Sequence, residues 1–234
     1  MGDANPSEPM PVRVATADLP KRAASAIIML AVAIAAVWQG GRVLEGFIAV
    51  VALVCFAEFV RLVVKATPNL FFRLAAIIAG AVYIGGAGLT LANFPIAVVL
   101  LIIGAVICVD TFAYFFGRTI GGPKIAPSIS PSKTWAGLFG GIVGATLWIG
   151  GYWFLFGRPN DDTGAAPHNF AQIVGYGAAI AVAAQTGDFF ESWLKRRAGV
   201  KDSSRLIPGH GGVFDRVDGL LAVALVAGLF GAIV

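Results

Sequence analysis

Charge is what this 234-residue chain has least of: Asp, Glu, Lys and Arg together supply 13% of it, against 58% apolar residues. A chain so poor in charge and so apolar is neither intrinsically disordered nor an ordinary water-soluble domain, and it carries no collagen-like glycine period. Cysteine is nearly absent as well. The two present, Cys55 and Cys108, sit inside apolar blocks without a second thiol or a histidine at ligand spacing, which excludes a disulfide scaffold and leaves them as small core residues. Histidine is equally scarce, and His168 stands alone in a loop as a solvated residue. No fixed-period repeat is present, and the halves show no matching pair of broken segments of the kind an inverted-repeat transporter requires. The net charge of +4 is too small to argue for a nucleic-acid partner.

What the chain does have is apolar blocks of roughly 20 residues, the length needed to cross ~30 Å of hydrocarbon. They lie at 23–38, 47–64, 70–91, 95–116, 135–156, 170–190 and 213–234. The predicted fold is therefore all-α: a polytopic integral membrane protein with about seven transmembrane helices. Residues 1–22, with Pro6, Pro9, Pro11 and Pro20 among mixed charges, read as a flexible cytoplasmic tail, and 23–234 as a single transmembrane domain. Lys21 and Arg22 ahead of a short apolar run imitate a signal peptide, but the run reads as the first span. Sorting Lys and Arg by loop puts fifteen in the tail and the even-numbered loops, and only Arg42 and Arg158 in the odd-numbered ones. The rich side is expected to be cytoplasmic, with the N terminus inside and the C terminus outside. Within 135–156, Gly137/Gly141 and Gly140/Gly144 form overlapping small-xxx-small faces suited to close helix packing in lipid.

Ionisable side chains inside spans are expensive, so each is a candidate for function unless it can reach an interface. Asp110 lies about seven residues from the cytoplasmic end of its span, ~10 Å deep at the helical rise. Asp188 sits near the cytoplasmic end of the sixth span; Asp215 and Asp218 open the seventh. All four point toward one leaflet, which argues for an enzyme open to the cytoplasm rather than a transporter with midplane sites. Asp215 and Asp218, three apart, share a helix face and together suit a divalent cation. The preceding Pro208-Gly-His-Gly-Gly212 lets backbone N–H groups approach a ligand at a helix N terminus. Lys195, Arg196, Arg197, Lys201 and Arg205 form the densest basic run; they retain topology and attract anionic headgroups, or neutralise substrate phosphates. Glu191 and Lys195 have the favourable i,i+4 order, and Glu58 and Arg61 read as an interfacial i,i+3 pair. The fourth loop offers Gly121, Gly122, Lys124, Ser130, Ser132, Lys133 and Thr134 before a helix, without a Walker A pattern.

These residues resemble the phosphatidate cytidylyltransferases, or CDP-diacylglycerol synthases. The resemblance is carried by Ser192 to Asp218, ending Pro-Gly-His-Gly-Gly-Val-Phe-Asp-Arg-Val-Asp, by the block from Asp110 through Tyr114 to Arg118, and by Ile129-Ser-Pro-Ser-Lys-Thr-Trp135. It is close over roughly 105–220, while the N-terminal half matches in hydropathy alone. Ala136 departs from the family, which commonly has an acid there, and Ser132 stands where relatives are often basic. The resemblance implies CTP and phosphatidate as substrates, CDP-diacylglycerol and diphosphate as products, a Mg²⁺ requirement with room for a second, monovalent cation, and a bacterial inner-membrane setting; a homodimer is compatible with it. Carried onto this chain, Asp110, Asp188, Asp215 and Asp218 would serve metal. Lys133, Lys201, Asp215 and Arg216 would take catalytic roles, and Ser130, Thr134, Lys195, Arg196, Asp202 and His210 would contact substrate. A prenol kinase, an archaeal-lipid CDP synthase and a small transporter are the competing readings.

Overall fold

A computed structural model describes residues 19–156 and 169–233; the expectations for the tail, Arg158 and His168 lie outside the described residues. Among the described residues seven helices run in order: α1 Leu19–Gln39, α2 Gly41–Ala66, α3 Leu70–Asn93, α4 Ile96–Thr119, α5 Trp135–Phe156, α6 Phe170–Arg197 and α7 Phe214–Ile233. Between α4 and α5 lie two short strands, β1 Lys124–Ala126 and β2 Ser130–Thr134. Among the described residues, α1 to α6 each contain a stretch long and apolar enough to cross a membrane. Their outer faces carry large apolar side chains open to the surroundings, such as Leu53 at 68% and Val82 at 70% exposure. Water would not tolerate that much apolar surface, and lipid does. The chain is an all-α polytopic membrane protein.

Local chemistry explains the boundaries. The break between α1 and α2 is the single residue Gly40, whose φ of 61° is open to glycine at little cost. As a result α2 begins at Gly41, six residues ahead of the apolar block, and takes in Arg42 and Glu45. Asn69 caps α3 by accepting from the N–H groups of Phe71 and Phe72. The sixth helix continues past its apolar block to Arg197, because Glu191, Lys195, Arg196 and Arg197 are good helix formers once the chain has left hydrocarbon.

Packing relies on small residues, since lipid supplies no hydrophobic drive between helices. On α5, a Cβ added at Gly144 would lie 2.6 Å from the Cys108 carbonyl oxygen of α4, and one at Gly140 2.7 Å from that of Phe112. The backbones meet there as the glycine spacing predicts. On α6, a Cβ at Gly187 would collide with the Asp218 carbonyl of α7. The core between these contacts includes Cys55, Phe59, Leu62, Ile84, Val109, Ala181 and Val223.

The fourth loop holds something the sequence reading did not anticipate. Its two strands pair antiparallel, Lys124 opposite Thr134 and Ala126 opposite Ser130, after Gly121 and Gly122 turn the chain at φ 68° and 90°. Ser-Pro-Ser-Lys-Thr has no apolar alternation to announce a strand. Tertiary contacts with α6, described next, hold it.

Candidate active site

Three knots of polar contacts gather at the end of the bundle where α2, α4 and α6 finish and α7 begins. In the first, the Asp215 carboxylate, one residue into α7, accepts from the backbone N–H of Gly212 at 2.8 Å and of Ser203 at 2.9 and 3.1 Å, and from Lys195 Nζ at 3.0 Å. Lys195 also pairs with Glu191 at 2.6 Å, one turn earlier on α6. An acid at a helix N terminus is favoured by the dipole, and three donors making four contacts turn this one into a rigid tie between α6, the 198–213 loop and α7.

The second knot is built on a residue that sequence reasoning misjudged. Glu58 of α2, 4% exposed, accepts from Phe214 N at 2.8 Å, Val213 N at 3.2 Å, Ser203 Oγ at 3.0 Å and Ser204 Oγ at 2.5 Å. It caps α7 from another helix, and its charge is matched by donors rather than by the i,i+3 partner Arg61. A buried acid in an apolar span was the available signal, and reading it as interfacial concealed it.

The third knot joins the hairpin to α6. Lys133 on β2 forms an ion pair with Asp188, and Arg196 Nε donates to the Ile129 carbonyl. Asp188 of α6 comes close enough to act electrostatically on both Asp110 of α4 and Asp218 of α7, and Lys133 acts on both as well. Three helices and the hairpin thus bring together an excess of negative charge around one lysine.

The remaining candidates take different places. Thr134 is buried and accepts from Gly137 N at 3.0 Å, capping α5. Ser130 is half-buried on β2. Arg216 donates through two nitrogens to the His210 carbonyl, at 3.0 and 2.7 Å, while His210 Nδ1 lies 3.0 Å from Ser25 Oγ of α1. That loop turns at Gly209 and Gly211, with φ of 75° and 79°. Lys201 and Asp202 are exposed on the same loop and face a separate pocket with Arg61, Lys65 and Arg205.

Among the described residues, no three His, Cys, Asp or Glu stand in joint ligating position. The donor set nevertheless fits Mg²⁺, which characteristically takes one or two carboxylates and completes its shell from phosphates and water. Asp188 and Asp218 meet that description; Asp215, with its oxygens held by three other groups, anchors the loop.

Beside the acids, a cavity of about 790 Å³ opens between α2, α3 and α6, walled by Phe59, Phe72, Tyr83, Phe190 and Trp193, and by Gly187, the neighbour of Asp188. Arg197 lies over the Trp193 ring, 5.7 Å from its centroid. A mostly apolar cavity that includes Arg197 in its lining and runs beside the acidic cluster suits an amphipathic ligand.

Residues 71–234 match the cytidylyltransferase family. A phosphatidate cytidylyltransferase of Brucella abortus is 42% identical over 161 residues, which are 66% of this chain and 56% of that protein. Those of Thermotoga maritima and Haemophilus influenzae are 40% and 42% identical over 136 and 113 residues, covering 58% and 48% of this chain and 49% and 38% of theirs. The chain spans about half the length of the curated relatives it matches. With the match extending over most of the chain and over all three polar knots except Glu58, the chain belongs to the cytidylyltransferase family.

Proposed function

We propose that the protein transfers the cytidylyl group of CTP to phosphatidate, giving CDP-diacylglycerol and diphosphate. One observation carries the reading: Lys133 pairs with Asp188 and acts electrostatically on Asp110 and Asp218, beside an apolar cavity whose lining includes Gly187, the neighbour of Asp188, so a phosphate on a lipid and a soluble polyphosphate can meet there. The names of the relatives support the substrate pair.

The chemistry asks little covalent help from the protein. A phosphomonoester with a second pKa near ~6 is mostly dianionic at neutral pH, so its oxygen is already a nucleophile and needs no general base. That oxygen bonds to the α-phosphorus of CTP as the bond to the β-bridging oxygen breaks, and diphosphate leaves with the electron pair. The difficulty is bringing two polyanions together. Lys133 is the cation best placed to exchange its carboxylate for a phosphate, being, among the described residues, one of two lysines in ion pairs and the one held by a single acid. Lys195, clamped between Glu191 and Asp215, fixes the loop instead, and Arg196 and Arg216, committed to backbone carbonyls, position the hairpin and the 208–212 turn. Asp188 and Asp218 would hold Mg²⁺, which when bound supplies charge neutralisation for the triphosphate and the departing diphosphate. The site faces the cytoplasm of a bacterial inner membrane, on the cation-rich side.

The test is transfer of label from α-labelled CTP into phosphatidate micelles, with and without Mg²⁺, for the parent protein and Asp188→Asn. Metal-dependent label in lipid, reduced at least ~100-fold in a variant that elutes and melts like the parent, is the expected result. Label appearing as free CDP would identify a kinase, and equal transfer by Asp188→Asn would overturn the assignment of the acidic site.

A further inference from the structure

A second pocket, of about 840 Å³, lies between α2 and the 200–206 loop. It opens on a different face of α2 from the apolar cavity: at about 100° per residue, Phe59, Val63 and Ala66 centre on one direction, and Glu58, Arg61 and Lys65 on another about 130° away. Its walls carry four cations, Arg61, Lys65, Lys201 and Arg205. Two acids adjoin them. Glu58 is consumed by the four donors that cap α7, which leaves Asp202 as the counter-charge. Among the described residues, none of the four cations forms an ion pair or hydrogen bond. Elsewhere the structure commits its site cations: Lys133 and Lys195 to acids, Arg196 and Arg216 to carbonyls. Four uncommitted cations converging on one cavity, with one acid among them, make a site for a phosphate-bearing anion.

The setting identifies the source of the phosphate. Arg61 and Lys65 occupy the last turns of the spanning helix α2, within ~8 Å of its end, the level of lipid headgroups. Beyond Ser203 and Ser204, whose hydroxyls donate to Glu58, the pocket's remaining wall is apolar, with Val54 and Ala57 on α2, Val200, and Leu206 at 59% exposure. A soluble anion would have no use for that wall, whereas a lipid would lay its glycerol and first methylenes against it. We propose that this pocket is a second lipid site, seating the phosphate headgroup of an anionic phospholipid apart from the acidic centre. Because the loop it grips is the one that ends in the Asp215 knot, occupancy stabilises that loop. The inference does not depend on the transfer reaction proposed above.

The experiment uses the full chain in phosphatidylcholine nanodiscs and follows Tm as phosphatidylglycerol replaces phosphatidylcholine, beside a separate titration with inorganic pyrophosphate. Phosphatidylglycerol should raise Tm saturably, by about 5 °C, as expected for a ligand well above its Kd. The rise should fall by more than half in Arg61→Gln/Lys65→Gln and in Arg205→Gln, and survive in Arg118→Gln, which removes a surface cation elsewhere. The single Arg205→Gln variant serves if the double variant does not fold. No rise with phosphatidylglycerol, a rise equal in all variants, or a rise with pyrophosphate that Arg61→Gln/Lys65→Gln abolishes would each overturn the proposal, the last by assigning the pocket to a soluble anion.

Discussion

Glu58 shows how much one side chain can organise when its charge is met by donors. Two backbone N–H groups at the start of α7 and two serine hydroxyls converge on it, across 145 or more residues of chain. Hydrogen bonds to a charged acceptor are each worth about 1.5–3 kcal/mol, and a buried donor left without one costs about as much. Glu58→Gln removes the charge and turns an NH₂ toward groups that are themselves donors. We expect a loss of about 2 kcal/mol in the local stability of the α7 N terminus. Amide exchange at Val213 and Phe214 should then run about thirty-fold faster, since each 1.4 kcal/mol is tenfold. Arg61→Gln is the discriminating control. If Glu58 were half of a surface pair with Arg61, the two substitutions would act alike; with Glu58 as the cap, Arg61→Gln leaves those amides protected. The sequence hid this because spacing reports neighbours on one helix, and the partners of Glu58 lie on another. Asp215 and Asp218 were legible for the same reason, being three apart on one helix. What spacing could not say is that Asp215 would be tied to Lys195 and the loop, while Asp218 faces Asp188 and Lys133.

At the scale of elements, helix identity was readable because ~20-residue apolar runs admit few alternatives, and a close approach to α5 was readable from Gly140 and Gly144, though not that α4 makes it. The hairpin was not, because its strands are held from outside: Lys133 on Asp188 and the Ile129 carbonyl on Arg196 replace the apolar face a strand usually buries. The glycine contact gives a prediction with an internal control. A Cβ at Gly144 would press on the Cys108 carbonyl and on Phe112 at 2.9 Å, whereas one at Gly151 meets nothing within 4 Å. Backbone on one side of that contact cannot swing away, so Gly144→Ala should cost about 1–3 kcal/mol through overpacking. Gly151→Ala, seven residues along the same helix, should be neutral or slightly stabilising, because alanine is the better helix former. Thermal unfolding in one detergent should show Gly144→Ala several degrees below the parent and Gly151→Ala level with it. Equal melting temperatures would mean that α4 and α5 do not approach as closely as the glycines allow.

The whole molecule is polarised from end to end. Contacts of Glu58 with 203–214, of Lys133 with Asp188, of Arg196 with Ile129 and of Ser25 with the 208–210 turn gather five regions at one end: the start of α1, the last turns of α2, the hairpin, the end of α6 and the start of α7. Alternate helix ends are therefore on the same side, as an odd-even topology demands, and the cations sorted by loop collect there. Lys and Arg are retained on the cytoplasmic side during insertion, so this end, with the acidic centre and the basic pocket, is expected to face the cytoplasm. Cysteine labelling tests the orientation directly. The native thiols present little interference, Cys55 being fully buried and Cys108 set within α4. Ser128, exposed at the hairpin turn, and Asn93, exposed at the α3–α4 junction, mark opposite ends. In intact cells whose outer barrier admits it, a membrane-impermeant maleimide should label Asn93→Cys at once and Ser128→Cys only after the inner membrane is opened. The reverse pattern would place the acidic centre outside, where CTP is not supplied, and the cytidylyl-transfer reading would fall with the orientation.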